Sequence, residues 1–207
     1  MRVNKTIFLV DDDETVRCAL SSVLRVSGYM VKPFPSAEAF LEEADGTIEG
    51  VMLLDKCMTG MSGIELHSEL TKRDIDLPTI FITGHGDVHT SVKALKAGAI
   101  DFLEKPVNHE VLLASINEAF LRLNNCKKYR SSVAEIKRNY SCLTEREMEV
   151  MQHVVAGVTN KDIAELLNVS DRTIEAHRSR VMKKMRAESL PDLVKKYDIY
   201  HAVETRK

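Results

Sequence analysis

The chain has 207 residues, with 29 Lys and Arg against 31 Asp and Glu and a formal net charge of −2. This length is enough for two small domains, each with its own core. The longest apolar runs are too short to cross a bilayer, and acids at 11–14 interrupt the first one, so neither a membrane protein nor a secretory signal is expected. The cysteines have no metal-type spacing and indicate reduced thiols in a cytoplasmic protein: Cys18, Cys57, Cys126 and Cys142.

The near-neutral total hides an asymmetry between the two parts of the chain. Residues 1–122 carry 12 Lys and Arg against 19 Asp and Glu, a net charge of −7. Residues 123–207 carry 17 against 12, a net charge of +5. This pattern predicts two domains, of which the second binds a polyanion. The alternative is that the basic side chains of the second domain only face solvent.

Residues 1–122 predict an α/β domain in which five strands alternate with five helices. Ser36 and Asn108 can cap two of the helices, and a fourth helix is expected to carry Val88, Val92 and Leu95. The alternation predicts a parallel, doubly wound sheet with right-handed crossovers, and a flavodoxin-like strand order 2-1-3-4-5. The strands are expected at residues 6–10, 30–34, 51–55, 79–83 and around 102–103.

Polar side chains gather where these strands end. Asp11 and Asp12 follow the first strand, Asp55 ends the third, Thr83 ends the fourth, and Lys105 follows the fifth. Ligands of open α/β sheets bind at this carboxyl edge, and strands 1 and 3 meet there at the topological switch point. Taken singly, each residue has a plain structural explanation: the acid pair as a helix cap, the hydroxyl as a strand end, the lysine as a solvated charge.

Together these residues permit phosphoryl chemistry. Clustered carboxylates repel one another, and Mg²⁺ relieves the repulsion at a site with few carboxylates. A carboxylate can also attack phosphorus to form an aspartyl phosphate, which needs positioning and charge neutralisation. Lys105 can supply an ammonium and Thr83 a hydroxyl for the phosphoryl oxygens. The chain has no P-loop or Gly-rich dinucleotide motif, so a nucleotide substrate is not expected.

The pair Asp11-Asp12 with Asp55, Thr83 and Lys105-Pro106, in this order and spacing, resembles a receiver domain of two-component signalling. Segments 61–66 (MSGIEL) and 83–88 (TGHGDV) narrow the resemblance to FixJ-type response regulators. The resemblance implies that Asp55 accepts a phosphoryl group from a sensor histidine kinase. It also implies Mg²⁺, which Mn²⁺ can replace, held by Asp12, Asp55 and the backbone carbonyl of Cys57, with Asp11 reaching it through water.

The resemblance further implies that Thr83 and Phe102 form a switch pair, in which the hydroxyl moves to the phosphoryl group and the ring turns inward. Two positions depart from the family pattern. Receivers usually have Pro where Thr59 stands, which puts the rigidity of that loop in question, and FixJ-type chains often have Pro at the position of His89. Cys57 and His85 border the site and are interpreted as loop residues.

Residues 123–142 are polar but contain neither Pro nor Gly. Val133, Ile136 and Tyr140 recur at helical spacing. They predict a largely helical linker that extends the last receiver helix. A break near residues 124–125 or 131–132, and a flexible coil, stay open as alternatives.

Residues 143–207 predict four helices, each with a capping residue. Thr144 and Glu147 form a capping box, and Thr159, Ser170 and Ser189 can cap the following helices. Two short helices, a tight turn at 168–169 and a longer basic helix describe a helix-turn-helix within an all-α domain.

The third of these helices has two distinct faces, with Ile174, Val181 and Met185 on the apolar one. The basic face fits the major groove, and an amphipathic helix with a merely solvated basic face is the alternative. The segments LTERE (143–147), NK (160–161) and 170–178 resemble the LuxR/NarL-type DNA-binding domain, and 181–185 again the FixJ branch. The resemblance implies that Glu175, Ala176 and Ser179 face bases. It implies backbone contacts from Asn160, Lys161, Arg172, Thr173, His177 and Arg180, with packing as the alternative for His177.

These features predict a response regulator whose phosphorylation at Asp55 promotes homodimerisation, binding to promoter DNA and activation of transcription, with RNA polymerase as a further partner. A DNA-binding protein with a degenerate, phosphorylation-independent receiver is the alternative, because of Thr59. An enzyme is not expected: a dehalogenase-like phosphatase would need a second Asp near the nucleophile, and residue 57 is Cys.

Overall fold

A computed structural model describes residues 5–84 and 98–205 of the chain. These described residues fall into two compact units, which divide between Cys126 and Lys127. The predicted helix around residues 88–95, together with His85 and His89, lies outside the described residues. The described strands are β1 (Thr6–Val10), β2 (Met30–Phe34), β3 (Val51–Asp55), β4 (Thr79–Thr83) and β5 (Asp101–Glu104). The described helices are α1 (Glu14–Val26), α2 (Ala37–Glu43), α3 (Gly63–Lys72), α4 (His109–Ser141), α5 (Glu145–Val155), α6 (Asn160–Leu166), α7 (Asp171–Lys184) and α8 (Leu190–Glu204).

The first unit contains one parallel sheet with the strand order β2-β1-β3-β4-β5. This confirms the predicted doubly wound topology. Val10 pairs with Leu54, so the carboxyl ends of β1 and β3 are level with each other. Thr83 pairs with Glu104, so Lys105 begins where β4 ends. The register therefore brings the polar residues that follow four strands to one edge.

Apolar side chains cover both faces of the sheet, because successive residues of a strand point to opposite sides. On one face, Phe8, Leu54 and Phe81 pack with Phe40 of α2 and Leu66 of α3. The other face packs against α1 and α4 through a second cluster that includes Ile7, Leu9, Leu24, Leu53, Ile82, Leu112 and Ile116. The β3 and β4 side chains are buried throughout, as expected for central parallel strands.

Helix α4 is a single helix of 33 residues, so residues 123–141 are helical. Asn108 precedes it, and its Oδ1 accepts hydrogen bonds from the amides of Glu110 and Val111, which confirms the predicted cap. Asp101 joins this helix to β5, because its carboxylate accepts from the Ser115 hydroxyl at 2.5 Å and from the Phe102 amide at 2.8 Å.

The second unit packs α5–α8 and the end of α4 around one apolar cluster that contains Ile174, Val181 and Met185. The predicted capping box is present: the Glu147 amide donates to the Thr144 hydroxyl, and the Thr144 amide donates to the Glu147 carboxylate. Glu147 is 2% exposed and also accepts from Lys184 of α7 at 2.6 Å. This ion pair fixes the end of α7 against the start of α5.

Candidate functional sites

The strand ends place three acids and a lysine together. Asp11 directly follows β1, and Asp55 is the last residue of the neighbouring β3. The Lys105 amide donates to the Thr83 carbonyl at 2.7 Å, which fixes the backbone from which the lysine side chain projects. A Cβ on Gly63 would clash with the Asp55 carbonyl oxygen, so only glycine allows α3 to start this close to the acid.

The Lys105 ammonium bridges two buried carboxylates. Its Nζ lies 2.8 Å from Asp11 Oδ2 and 3.3 Å from Asp55 Oδ2. The two acid side chains are 1% and 7% exposed, against 24% for the lysine. Two carboxylates this close together would repel strongly, so the ammonium between them stabilises the pair.

The same geometry changes the ionisation of both partners. Burial raises the pKa of Asp55, and the negative charge of Asp11 raises it further, while Lys105 acts in the opposite direction. Burial opposes the charge of Lys105, but the hydrogen bonds and charges of Asp11 and Asp55 outweigh it, so the pKa of Lys105 is raised. Lys105 is therefore firmly cationic, which suits neutralisation of incoming phosphoryl charge.

Asp12 completes a group of three acids. One carboxylate oxygen from each of Asp11, Asp12 and Asp55 lies within 4.8 Å of the other two. Ligands on opposite sides of a magnesium ion are about 4.2 Å apart, so these oxygens lie close to the spacing that the ion needs. Hard carboxylate oxygens are also the donors that it prefers, so the donor set suits this ion. Cys57 lies two residues beyond Asp55 with an exposed side chain, and its backbone amide contributes a hydrogen bond to Asp55.

Thr59 makes a contact that the sequence did not indicate. Its backbone amide donates to Asp12 Oδ2 at 2.8 Å, and this hydrogen bond lowers the pKa of Asp12. Proline has no amide hydrogen, so the usual receiver residue cannot make this bond. The sequence marks Thr59 as a departure from the family pattern, but it contains no signal for the partner of its amide.

The proposed switch residues lie on neighbouring strands. Thr83 is 1% exposed at the end of β4. Phe102 of β5 is partly buried, and its ring lies 5.8 Å from that of Phe81, its partner in the sheet register. Asp13 rather than Asp11 or Asp12 caps α1, accepting from the Thr15 and Val16 amides. The two preceding acids therefore lie at the site rather than in the cap.

The residues expected to contact DNA lie on α6 and α7 of the second unit. Exposed side chains belong to Lys161, Arg172, Glu175, Ala176, Ser179 and Arg180, and partly buried ones to Asn160, Thr173 and His177. The Nδ1 atom of His177 is buried and has no hydrogen-bond partner among the described residues. This burial favours a packing role over a DNA contact for the Nδ1 edge of the His177 ring.

Arg178 adds a residue that the sequence reasoning did not select. Its guanidinium donates to Asn160 Oδ1 at 2.9 Å, which joins the middle of α7 to the start of α6. Because the Asn160 oxygen accepts this bond, its amide nitrogen keeps both hydrogens for another acceptor. The basic motif at 170–178 contained Arg178, but spacing alone did not reveal its partner.

Comparisons with known proteins agree with this arrangement. A family model described as response regulator receiver domain matches residues 7–117. A second model, described as bacterial regulatory proteins of the luxR family, matches residues 141–197. None of the helices in residues 5–84 and 98–205 has the length and apolar character needed to span a membrane.

Full-length relatives cover both units. The chain is 45% identical over 190 residues to the transcriptional regulatory protein FixJ of Rhizobium meliloti, covering 92% of this chain and 93% of that protein. It is 42% identical over 189 residues to the response regulator protein TmoT of Ectopseudomonas mendocina, covering 91% and 86% of the two chains. The solved structure of the response regulator StyR matches 96% of this chain and 100% of its own, at 38% identity and a TM-score of 0.83.

The fold and the acidic site define a receiver domain joined to a helix-turn-helix DNA-binding domain, which is the composition of a transcriptional response regulator. The chain belongs to the FixJ-type response regulators with a LuxR-type DNA-binding domain. This is a family of regulators rather than enzymes, as expected from the sequence.

Proposed function

We propose that Asp55 accepts a phosphoryl group from a sensor histidine kinase, and that this modification controls dimerisation and binding to promoter DNA. The observation that carries the proposal is the Lys105 ammonium at 2.8 Å from Asp11 and 3.3 Å from Asp55. An amine fixed between two acids at the carboxyl edge of β1, β3 and β5 is positioned to receive an anionic group there.

The transfer is a displacement at phosphorus. A carboxylate oxygen of Asp55 forms the new bond to phosphorus while the bond from phosphorus to the donor nitrogen breaks. Lys105 pairs with the phosphoryl oxygens, and the Thr83 hydroxyl donates to one of them. Asp11, Asp12, Asp55 and the Cys57 carbonyl would hold Mg²⁺ or Mn²⁺. When bound, the cation supplies positive charge that offsets the added negative charge.

We infer that the response reaches transcription through the second unit. Glu175, Ala176 and Ser179 of α7 face bases, whereas Asn160, Lys161, Arg172, Thr173, His177 and Arg180 hold the DNA backbone. A homodimer places two such helices on half-sites about 10 bp apart. Promoter DNA, RNA polymerase and the sensor kinase are the proposed partners, and they place the protein in the cytoplasm.

The test uses acetyl phosphate with Mg²⁺ on the full chain. The wild type is expected to form a stable phosphoryl label, while Asp55→Asn forms none because the nucleophile is gone. Intact-mass spectrometry measures both. As a matched control, Asp45→Asn changes an exposed carboxylate that accepts hydrogen bonds from the nearby Thr47 and should label normally. Absence of label in the wild type would favour the phosphorylation-independent DNA-binding protein, and rapid phosphate release would favour a phosphatase.

A further inference from the structure

The loop that follows the acceptor strand is tied to the acid cluster by its own backbone. The Thr59 amide donates to Asp12 Oδ2 at 2.8 Å. Two residues further along, the Met61 amide donates to Glu38 Oε1 at 3.1 Å. Gly60 stands between them with a φ of +80°, a conformation that favours glycine. Two carboxylates from different elements therefore hold the loop from both sides.

We propose that the backbone amide of Thr59 positions the Asp12 carboxylate for binding of a divalent cation. The inference rests on the proposed cation at the acid cluster and names a residue of this chain that acts on it. Thr59 is a positioning residue, since it contacts the ligand carboxylate rather than the cation.

The chemistry of the contact supports this role. Asp12 is the least buried of the three acids, so an unrestrained side chain would sample several rotamers in solvent. The Thr59 side chain adds a further hydrogen bond to the same carboxylate. An ionised carboxylate has about four lone-pair sites, so acceptor capacity remains for a metal ion. Hydrogen bonds that orient ligating carboxylates commonly change metal affinity by about 10–100-fold.

The other two acids do not need this help. Lys105 already bridges Asp11 and Asp55, and their side chains are nearly fully buried. Asp11 and Asp55 also accept amides, from Asp13 and Cys57, but these donors lie only two residues away. The donor to Asp12 comes from the distant loop after β3. The contribution of Thr59 should therefore appear in cation affinity through Asp12.

The experiment measures Mn²⁺ binding to the unphosphorylated full chain by electron paramagnetic resonance of the free ion. Thr59→Pro removes the amide hydrogen, whereas the matched variant Thr59→Ala keeps it and removes only the hydroxyl. We expect Thr59→Pro to weaken Mn²⁺ binding by about tenfold. Thr59→Ala loses only the hydrogen bond of the hydroxyl, so it should weaken Mn²⁺ binding clearly less than Thr59→Pro. In an Asp12→Ala background, Thr59→Pro should produce no further loss, because the acceptor is absent.

A second measurement does not involve the cation. Amide hydrogen exchange of Thr59, followed by NMR in metal-free protein, should be slow in the wild type and faster in Asp12→Ala. Unchanged Mn²⁺ affinity in Thr59→Pro, or an equal loss in the Asp12→Ala background, would overturn the role of Thr59. Failure of the wild type to take up Mn²⁺, with Thr59 still protected by Asp12, would overturn the cation site itself and this role with it.

Discussion

At the scale of single residues, the acid cluster contains two carboxyl groups, Asp55 and Asp12, whose pKa values are shifted in opposite directions. Asp55 is buried beside another carboxylate, so the folded protein favours its neutral form and its pKa is raised. Asp12 accepts an amide hydrogen bond from Thr59, so the folded protein favours its ionised form and its pKa is lowered. A charged nucleophile at the acceptor position therefore reduces stability, as is common for groups arranged for chemistry rather than for folding.

Asp55→Asn is expected to stabilise the metal-free protein at pH 7. A raised pKa means that Asp55 contributes stability below its ordinary value of 3.8 and loses it as pH rises through the folded value. Asparagine carries no charge at any pH, so the gain in free energy of unfolding should be present at pH 7 and should shrink towards pH 4. Urea denaturation at several pH values measures it.

Asp12→Asn is the comparison variant, because the pKa of Asp12 is lowered whereas that of Asp55 is raised. The contribution of Asp12 is present above pH 3.8 and is lost as pH falls through its lowered folded value, so this variant should show no stabilisation at pH 7. Equal stabilisation by both variants would indicate general charge relief instead of the burial of Asp55.

At the scale of elements, α6 and α7 are joined by a side-chain contact and are both proposed to contact DNA. Asn160 opens α6, and Arg178 of α7 occupies its side-chain oxygen at 2.9 Å. The caps of both helices are local: the Thr159 and Ser170 hydroxyls accept amides three residues ahead. The capping fixes where each helix begins, while the Arg178 contact fixes one helix against the other.

Arg178→Met should weaken operator binding by about 1 kcal/mol, since it releases the Asn160 amide that is proposed to hold the DNA backbone. Asparagine is uncharged and displaces no counterion, so the slope of log affinity against log salt should stay unchanged. Fluorescence anisotropy at several salt concentrations measures both quantities.

Arg180→Met is the matched control, because Arg180 is an exposed arginine of the same helix proposed to contact phosphate. This variant should make the slope of log operator affinity against log salt concentration less steep by about 0.9, the value for one lost phosphate contact. An equal reduction in Arg178→Met would show that Arg178 contacts phosphate directly.

At the scale of the whole molecule, an acidic unit and a basic unit divide the proposed tasks. Residues 1–122 have a net charge of −7 and residues 123–207 one of +5. The acidic unit offers carboxylates to a cation and a phosphoryl group, and the basic unit offers cations to DNA. Long-range attraction to DNA therefore arises from one part of the chain only.

Phosphorylation should change self-association and operator affinity together. We expect the acetyl-phosphate-treated wild type to sediment as a dimer and to bind an operator containing two half-sites more tightly than the untreated protein, because a dimer contacts both half-sites at once. Analytical ultracentrifugation and anisotropy measure the two effects. Asp55→Asn treated in the same way is the control, and equal behaviour of treated and untreated wild type would contradict the proposed coupling.

The sequence alone determined the features that depend on local pattern. Apolar runs ending at Val10, Asp55 and Thr83 predicted the strands, because buried parallel strands are apolar on both faces. Side-chain oxygens before helical segments predicted the caps at Asn108 and Thr144, because capping depends on residues only three positions apart. The gathering of the acids at one edge followed from the strand order.

Tertiary structure decided the features that depend on contacts between distant parts of the chain. The bond from Thr59 to Asp12 spans 47 positions and uses a backbone amide. Every residue except proline has this amide, so the residue type permits the bond but does not identify its acceptor. The contact of Arg178 with Asn160 depends on how α6 and α7 pack. The position of the Lys105 ammonium at 2.8 Å and 3.3 Å from two acids likewise results from the register of the sheet, since only that register sets distances between residues far apart in sequence.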